Sequence, residues 1–353
     1  MTTHSAAVTG PGAPSAKPMT ARIGFGASGL GTLTWNIPDA VAEEVLDEAW
    51  AAGFRYFDTS PLYGHGLSEH RLGRFLRGRP RGDFLLSTKV GRYLVAPRPG
   101  ETVDPGQWVA PLPLKPVLDY SYDGTMRALE GSVNRLGVPK IDIVYVHDLD
   151  RRNLGVDFDR HFAAAMNGAF RALVELRNAG VISAIGAGIN ESDVAADIAR
   201  HADIDILMLA GRYTLLEQGA LADFLPEAEK RGIDVVDAGV FNSGILVKPP
   251  EKGGNYDYGE APPEIIDRAR RIAAVCAEFG VSMPAAAVQF PFGHPAVKTV
   301  VVGLSRPKYV RQNMAWFQEA IPAAFWSRLF EEGLLAPGTP VPVGSHPPIA
   351  AAG

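Results

Sequence analysis

The sequence predicts a (β/α)8 TIM barrel of the α/β class, and two observations carry this prediction. Eight short runs of β-branched and aromatic residues alternate with longer amphipathic runs from residue 21 to about residue 318. Such alternation is typical of a parallel sheet whose strands are joined by helices. Four of the amphipathic runs end in a glycine, at Gly53, Gly180, Gly232 and Gly280. Glycine most readily takes the left-handed conformation with which many helices end.

The individual elements follow from these patterns in order along the chain. Strands are expected where the apolar runs are short, and helices where apolar residues recur every three or four positions. The strands are expected near residues 22–25, 54–58, 84–89, 141–146, 181–187, 204–209, 233–237 and 298–302. The helices are expected near residues 39–52, 68–77, 122–136, 165–179, 192–201, 217–230, 263–279 and 307–316.

One motif favours a different α/β fold. Residues 24–29 (GFGASG) match the G-x-G-x-x-G fingerprint of a doubly wound dinucleotide-binding domain. In that fold the last glycine opens a helix directly. Here residues 30–38 intervene, and the amphipathic run begins only near Asp39. We therefore retain the barrel and interpret the glycines as positions where the backbone passes close to a ligand.

We expect one barrel domain over residues 21–334, between two tails at 1–20 and 335–353. The first tail is rich in Ala, Ser, Thr, Pro and Gly and lacks the pattern of a signal peptide, so we expect disorder. Two connections are unusually long, about 91–121 after strand three and about 239–262 after strand seven. Because both follow strands, both should rise over the C-terminal face of the barrel and form walls of a pocket.

Charge and composition exclude several functional classes. The net charge is −5, from 34 basic and 39 acidic residues, which gives no support for binding nucleic acid or an anionic membrane. No apolar run approaches the roughly 20 residues that span a bilayer. The single cysteine, Cys276, cannot form an internal disulfide, so we expect a cytoplasmic protein. A monomer or a small homo-oligomer is consistent with these properties.

Three residues that end successive apolar runs, and a tyrosine in the turn after the first of them, suggest a proton-transfer site. Asp58 ends the second run, and Tyr63 follows it in a short turn. Lys89 ends the third run, and His147 ends the fourth. In a parallel barrel these ends share one face, so we expect the four side chains to lie together.

Such a set can move a proton while a hydride is exchanged between a carbinol and a nicotinamide. A phenol ionises only near pH 10, and a neighbouring ammonium favours its phenolate form. In this interpretation Tyr63 is the acid/base, Lys89 activates it, Asp58 holds the lysine, and His147 orients the substrate oxygen. Positioned acid/base catalysis contributes roughly 10²–10⁴-fold, and it needs no metal.

The residues that carry this site also carry a resemblance to a known family. Residues 57–64 (FDTSPLYG), 87–91 (STKVG) and 146–148 (VHD) resemble those of the aldo-keto reductases, and the likeness extends over residues 21 to about 318. This resemblance implies a (β/α)8 barrel with NAD or NADP lying across the carboxyl ends of the strands. It also implies the roles given above for Asp58, Tyr63, Lys89 and His147.

The same resemblance implies a set of cofactor-binding residues. Asn190 would bind the nicotinamide amide and Tyr213 would stack on its ring, although Ala210 and Gly211 replace the usual first residue of that segment. The pyrophosphate would lie on Phe241, Asn242, Ser243, Gly244 and Leu246, and the adenosine on Gly303, Ser305, Arg306 and Asn313. Arg306 or Lys308 could meet a 2′-phosphate. The choice between NAD and NADP remains open at this point.

The substrate is expected to be a small sugar or aldehyde. Residues 24–31, 66–69, 242–246 and 301–304 resemble a bacterial branch of the family that oxidises the anomeric hydroxyl of aldoses of the L-fucose or D-threo type, or oxidises pyridoxal. Trp35, Tyr93 and Trp108 are candidate pocket residues, since a sugar needs an apolar floor. The alternatives are pyridoxal oxidation, NADPH-dependent reduction of aldehydes or ketones, and a non-catalytic nucleotide-binding subunit.

Overall fold

A computed structural model describes residues 21–248, 253–257 and 259–342 of the 353-residue chain. The predicted tail at 1–20 and most of the tail at 335–353 lie outside the described residues. Within this part of the chain, eight parallel strands close into a barrel in which each strand pairs with its sequence neighbours. The strands are β1 Ile23–Gly26, β2 Tyr56–Asp58, β3 Leu85–Val90, β4 Ile143–His147, β5 Ala184–Ile189, β6 Ile206–Ala210, β7 Asp234–Ala238 and β8 Val297–Gly303. The predicted (β/α)8 barrel is confirmed.

Helices follow the strands around the outside of the barrel. These are α1 Asp39–Ala51, α2 Leu67–Leu76, α3 Tyr122–Leu136, α4 Phe170–Asn178, α5 Ser192–His201, α6 Phe224–Arg231, α7 Pro263–Phe279 and α8 Pro307–Gln318. The sequence did not predict the shorter helices Arg151–Leu154, Phe158–Ala164, Met283–Gln289 and Ala323–Glu331. A π-helical turn, Ala165–Ala169, joins one of these to α4.

The sixth helix begins later than predicted. Residues 217–223, which the pattern assigned to it, form a turn and a short 3-10 segment, Gly219–Leu221. Gln218 Nε2 donates to the carbonyl oxygens of Thr214 and Leu215, at 2.8 and 2.9 Å. These bonds stabilise the turn, and α6 begins only after Asp223, whose carboxylate accepts from Phe224 N.

Two apolar layers surround the strands because successive side chains point to opposite faces. The smaller layer fills the barrel and contains Tyr56, Ile143, Tyr145, Ala184, Ile206, Met208, Val236 and Val301. The larger layer lies between the strands and the helices. Inside the barrel, Tyr56 Oη lies 3.0 Å from Ser87 Oγ and 3.1 Å from Tyr145 Oη. The barrel interior is therefore a packed core rather than a channel.

The two long connections are partly ordered by short antiparallel ladders. After β3, Arg92–Val95 pairs with Lys115–Leu118 to form a hairpin. After β7, Asn255–Tyr256 pairs with Gly259–Glu260. Both connections leave the carboxyl ends of their strands, as predicted.

Residues 335–342, the start of the predicted C-terminal tail, pack against the barrel. Leu335 and Thr339 are buried. A side chain at Gly293 would lie 2.4 Å from Pro340 O, so the two backbones are in direct contact there. Residues 335–342 therefore lie against the barrel.

No single helix in the described ranges is long and apolar enough to cross a membrane. Taken together, Pro263–Phe279 and Met283–Gly293 have the length and apolar composition of a membrane-spanning segment, but the two helices bend by 104° at their junction. Every residue of Met283–Gln289 is buried within the fold.

Gly31 allows the connection after β1 to lie against the turn that carries Tyr63. A Cβ at Gly31 would lie 2.5 Å from Tyr63 C and 2.7 Å from Gly64 N. Because both contacts are to backbone, we expect Gly31→Ala to lower the free energy of unfolding by about 2 kcal/mol. Gly82→Ala is the control, since a Cβ there meets no described atom within 4 Å. Equal urea midpoints for the two variants would contradict this prediction.

Candidate active site

A buried ion pair lies at the carboxyl ends of β2 and β3. Lys89 Nζ donates to Asp58 Oδ2 at 2.5 Å and to Thr59 O at 2.9 Å. Ser87 Oγ donates to the other carboxylate oxygen of Asp58 at 2.7 Å. The two charged side chains are only 2% and 3% exposed. Register brings them together, because Asp58 is paired with Ser87 and the lysine is two residues further along β3.

Tyr63 lies over this ion pair. Its ring centroid is 4.7 Å from Lys89 Nζ and 5.8 Å from the ring of His147. The turn that carries it is held by Tyr63 N, which donates to Ser60 O, and by Leu62 N, which donates to Ser60 Oγ. Asp58, Tyr63, Lys89 and His147 are therefore neighbours in the structure.

His147 is buried at the end of β4, and its environment keeps the imidazole neutral. Burial, together with the charges of Lys89 and Arg92, holds the pKa of His147 well below its usual value. Nδ1 lies 3.2 Å from Ser60 Oγ, and Nε2 lies 3.3 Å from Asp148 Oδ1. At neutral pH one of the two ring nitrogens therefore carries a proton, and this N–H can donate a hydrogen bond to a neighbouring oxygen.

Sequence reasoning missed two charged residues that lie beside His147. Asp148 Oδ2 accepts from Arg92 Nη1 at 2.9 Å, and both side chains are about 15% exposed. Asp148 adopts a left-handed backbone conformation, with φ of 52°. The position of Asp148 directly after His147 could have indicated that it belongs to the site. No feature of the sequence near either residue indicated that Arg92 would be its partner.

The three predicted pocket aromatics lie in different places. The Trp108 ring is 5.6 Å from that of Tyr63, so it forms a wall of the site. The Tyr93 ring lies instead beside Arg127 of α3, at 5.8 Å. The Trp35 ring lies under the guanidinium of Arg306, at 4.2 Å, which places it next to the segment after β8.

Asn190 follows β5 and is held by a buried carboxylate. Its backbone N and its side-chain Nδ2 both donate to Asp150 Oδ2, at 2.9 and 3.0 Å. The backbone carbonyl oxygen of Asn190 accepts a hydrogen bond from Arg212 Nε at 2.6 Å. These contacts fix the orientation of the amide side chain near the carboxyl edge of the barrel.

The structure does not bring Tyr213 to the surface of the site. The side chain is fully buried, and its ring packs against Phe290 and His294, at 5.1 and 6.0 Å. Burial and the charge of Asp237 raise the pKa of the phenol. Because the side chain has no exposed surface, this conformation leaves neither ring face available for stacking on a nicotinamide, which differs from the predicted role.

The segment after β7 forms a tight turn with a left-handed backbone. Asn242, Ser243 and Gly244 have φ values of 44°, 58° and 95°. Asn242 is buried; its Oδ1 accepts from Thr214 Oγ1 at 2.6 Å, and its Nδ2 donates to Gly211 O at 3.2 Å. Phe241 packs on Trp316 of α8, and Leu246 is in the core. Ser243 is exposed, and Phe241 and Gly244 are half-buried, so these three members of the predicted pyrophosphate set have surface that a ligand could meet.

The segment after β8 has features that fit an adenosine. Gly303 and Arg306 are exposed, and Ser305 is half-buried between them. Asn313 is 5% exposed; its Nδ2 donates to Tyr309 O, whereas its Oδ1 has no hydrogen-bond partner in the described part of the chain. A buried acceptor without a partner is unfavourable unless a ligand satisfies it. A Cβ at Gly244 would meet no described atom within 4 Å, so there is open space across the turn. These residues fit a nicotinamide dinucleotide.

Metal-binding geometry is a separate question. Among the residues that the structure describes, no group of three or more His, Cys, Asp or Glu side chains could hold a metal ion. Cys276 is buried, and burial raises the pKa of its thiol to about 12.

The chain is similar in sequence to a known protein family and to two dehydrogenases of that family. A profile described as "Aldo/keto reductase family" matches residues 22–331. The chain is 44% identical to a pyridoxal 4-dehydrogenase of Microbacterium luteolum, over 89% of this chain and 94% of that protein. It is 42% identical to a D-threo-aldose 1-dehydrogenase of a Pseudomonas species, over 93% and 98% of the two chains.

Solved structures share the fold at lower sequence identity. An aldo-keto reductase of Bacillus halodurans superimposes with a TM-score of 0.68 at 24% identity, covering 89% of this chain and 92% of that one. A glycerol dehydrogenase of Gluconobacter oxydans gives 0.66 at 23% identity, covering 92% and 94%. The chain belongs to the aldo/keto reductase family and is an oxidoreductase that acts on CH–OH groups with a nicotinamide cofactor.

Proposed function

We propose that this protein oxidises the anomeric hydroxyl of an aldose of the L-fucose or D-threo type to a lactone. The observation that carries the proposal is the buried Lys89–Asp58 pair, with the Tyr63 ring 4.7 Å from the ammonium and 5.8 Å from the His147 ring. Similarity to a D-threo-aldose 1-dehydrogenase supports the choice of substrate.

The proposed base is Tyr63. The Lys89 ammonium favours the phenolate, which takes the proton of the anomeric hydroxyl. Asp58 holds the ammonium in place through their direct hydrogen bond. The C–H bond of the same carbon breaks with its electron pair, and the C–O bond becomes the carbonyl of the lactone.

His147 is proposed to hold the reacting oxygen. A neutral imidazole donates one hydrogen bond without delivering its proton, so it orients the hydroxyl toward Tyr63 and leaves proton removal to the phenolate. Trp108, beside the Tyr63 ring, would form the apolar wall on which the sugar lies.

The cofactor is proposed to lie across the carboxyl ends of the strands. When bound, an oxidised nicotinamide accepts the hydride that leaves the anomeric carbon. Asn190 would hold its amide group, Ser243 and Gly244 its pyrophosphate, and Asn313 its adenine, where the buried Oδ1 needs a donor. Gly303, Ser305 and Arg306 would surround the ribose. Both NAD and NADP fit these residues, with Arg306 as the partner of a 2′-phosphate.

Pyridoxal is the second candidate substrate, because the chain is 44% identical to a pyridoxal 4-dehydrogenase. Pyridoxal and aldoses share a chemical form, since in both the aldehyde closes on a hydroxyl of the same molecule to give a cyclic hemiacetal. Oxidation of either hemiacetal yields a lactone, so the roles proposed for Tyr63, Lys89 and His147 would not change. We propose the cytoplasm as the compartment, on the ground of the single cysteine.

The first test is turnover by Tyr63→Phe. Initial rates of NAD⁺ and NADP⁺ reduction are measured with L-fucose and, separately, with pyridoxal. Loss of the phenol removes the base, so we expect kcat to fall at least ~10²-fold. Cofactor binding, followed by fluorescence quenching, should survive because the ring remains.

Tyr122→Phe is the matched control, since that hydroxyl donates to Glu175 on the outer surface of the barrel. It should leave the rates unchanged. Near-normal turnover by Tyr63→Phe would contradict the assignment of Tyr63 as the base. If the wild-type protein oxidises pyridoxal but not L-fucose, pyridoxal replaces the aldose as the proposed substrate and the proposed mechanism stands.

A second test concerns the ammonium of Lys89. In Lys89→Met the Tyr63 phenolate loses its neighbouring cation and faces the unpaired Asp58 carboxylate. The oxidation rate should therefore fall, and its half-maximal pH should rise by about one unit. Lys298→Met, on an exposed lysine of β8, is the control. If the pH profile of Lys89→Met is unshifted, the lysine does not activate the phenol.

A further inference from the structure

We propose that Asp148 determines substrate specificity by accepting a hydrogen bond from the hydroxyl on the carbon next to the reacting carbon. In an aldose this is the 2-hydroxyl. The inference rests on the proposed function and adds to it a residue that recognises a particular substrate group.

The first argument is the position of the carboxylate. Asp148 Oδ1 lies 3.3 Å from His147 Nε2, on the imidazole that is proposed to hold the reacting oxygen. A substrate oxygen within hydrogen-bond reach of that nitrogen is therefore next to the carboxylate as well. The two oxygens of neighbouring carbinol carbons are close enough for one to reach the imidazole while the other reaches Asp148.

The second argument concerns which ring nitrogen carries the proton. The negative charge of Asp148, with Oδ1 3.3 Å from Nε2, favours the proton on that nitrogen. Nδ1 then accepts from the Ser60 hydroxyl at 3.2 Å, while Ser60 Oγ accepts from Leu62 N at 3.1 Å. Leu62 N, the Ser60 hydroxyl and Nδ1 therefore have compatible donor and acceptor roles. The Nε2 and Oδ1 atoms are close without forming an aligned hydrogen bond, so the Nε2–H remains available to a substrate oxygen that binds beside the carboxylate.

The third argument is that the carboxylate keeps room for another donor. A carboxylate offers about four acceptor positions. In the described residues, the contacts seen for the Asp148 carboxylate are with His147 and Arg92, and the side chain is 14% exposed. The Arg92 guanidinium compensates the negative charge and fixes one oxygen, so the other keeps a defined direction.

The fourth argument is the backbone that holds Asp148. Its φ of 52° is uncommon for a residue other than glycine, although aspartate tolerates it better than most. Tyr120 Oη donates to the carbonyl oxygens of His147 and Asp148 at 2.7 and 3.1 Å, and Asp148 N donates to Gly188 O at 3.0 Å. An uncommon conformation held by so many contacts is typical of residues whose direction matters for function.

The test uses three sugars that differ only at carbon 2. D-Arabinose and D-ribose carry the 2-hydroxyl in opposite configurations, and 2-deoxy-D-ribose lacks it. For the wild-type protein we expect kcat/KM to be ~10- to 100-fold higher with D-arabinose than with 2-deoxy-D-ribose, as for a hydrogen bond to a charged acceptor. D-Ribose should resemble the deoxy sugar.

In Asp148→Ala the ratio of D-arabinose to 2-deoxy-D-ribose should collapse to within about threefold, since the acceptor is gone. A merely structural role would lower both rates together and leave the ratio unchanged. Asp148→Asn is the second variant in case Asp148→Ala does not fold, and its weaker, uncharged acceptor should reduce the ratio several-fold. Asp159→Ala, on an exposed carboxylate of Phe158–Ala164, should keep the wild-type ratio.

The inference fails if the wild-type protein does not distinguish D-arabinose from 2-deoxy-D-ribose, or if the folded Asp148 variants distinguish them as well as the wild type does. In both cases turnover is present, so the proposed function survives. Absence of turnover with every aldose, with NAD⁺ or NADP⁺, overturns the proposed function and this inference together.

Discussion

The buried ion pair between Lys89 and Asp58 is the interaction on which the rest of the site depends. Moving two charges out of water is unfavourable, and such a pair persists only where further hydrogen bonds complete its surroundings. Ser87 Oγ and Thr59 O provide those bonds, and the register of β2 and β3 places all four groups together. Loss of either charge would leave the other buried without compensation, so the pair constrains the ends of both strands.

The ion pair is also connected by hydrogen bonds to side chains in the packed interior of the barrel. Because the hydroxyl proton of Ser87 is donated to Asp58, Tyr56 must be the donor in its own contact with Ser87 Oγ. Burial and the charge of Asp58 raise the pKa of Tyr56, which keeps its hydroxyl protonated and able to donate. Tyr145 completes the chain at the centre of the barrel. The site thus lies on a polar column within an otherwise apolar core, and the column has one consistent direction of donation.

Much of the fold and the centre of the site could be predicted because local patterns report them. A residue that ends an apolar run lies at the carboxyl end of a strand, and a parallel barrel brings all such ends to one face, as it does for Asp58, Lys89 and His147. The start of α6 could not be predicted, because Gln218 bonds to the preceding carbonyls and holds a turn within an apparently helical pattern. Tyr213 follows a strand as well, yet its side chain turns into the core.

By itself, the sequence determined the alternation of strands and helices, the closed barrel, and which chemical groups stand at the strand ends. These features depend on the spacing of apolar residues, on the order of the apolar runs along the chain and on the residue that ends each run. All three can be read directly from the sequence. Only the tertiary structure decided that Arg92 would meet Asp148, 56 residues further along the chain, and that Trp108 rather than Tyr93 would face Tyr63. Such choices depend on how long connections fold back over the barrel. The direction of a loop side chain is set by contacts with distant residues, and no local pattern encodes them.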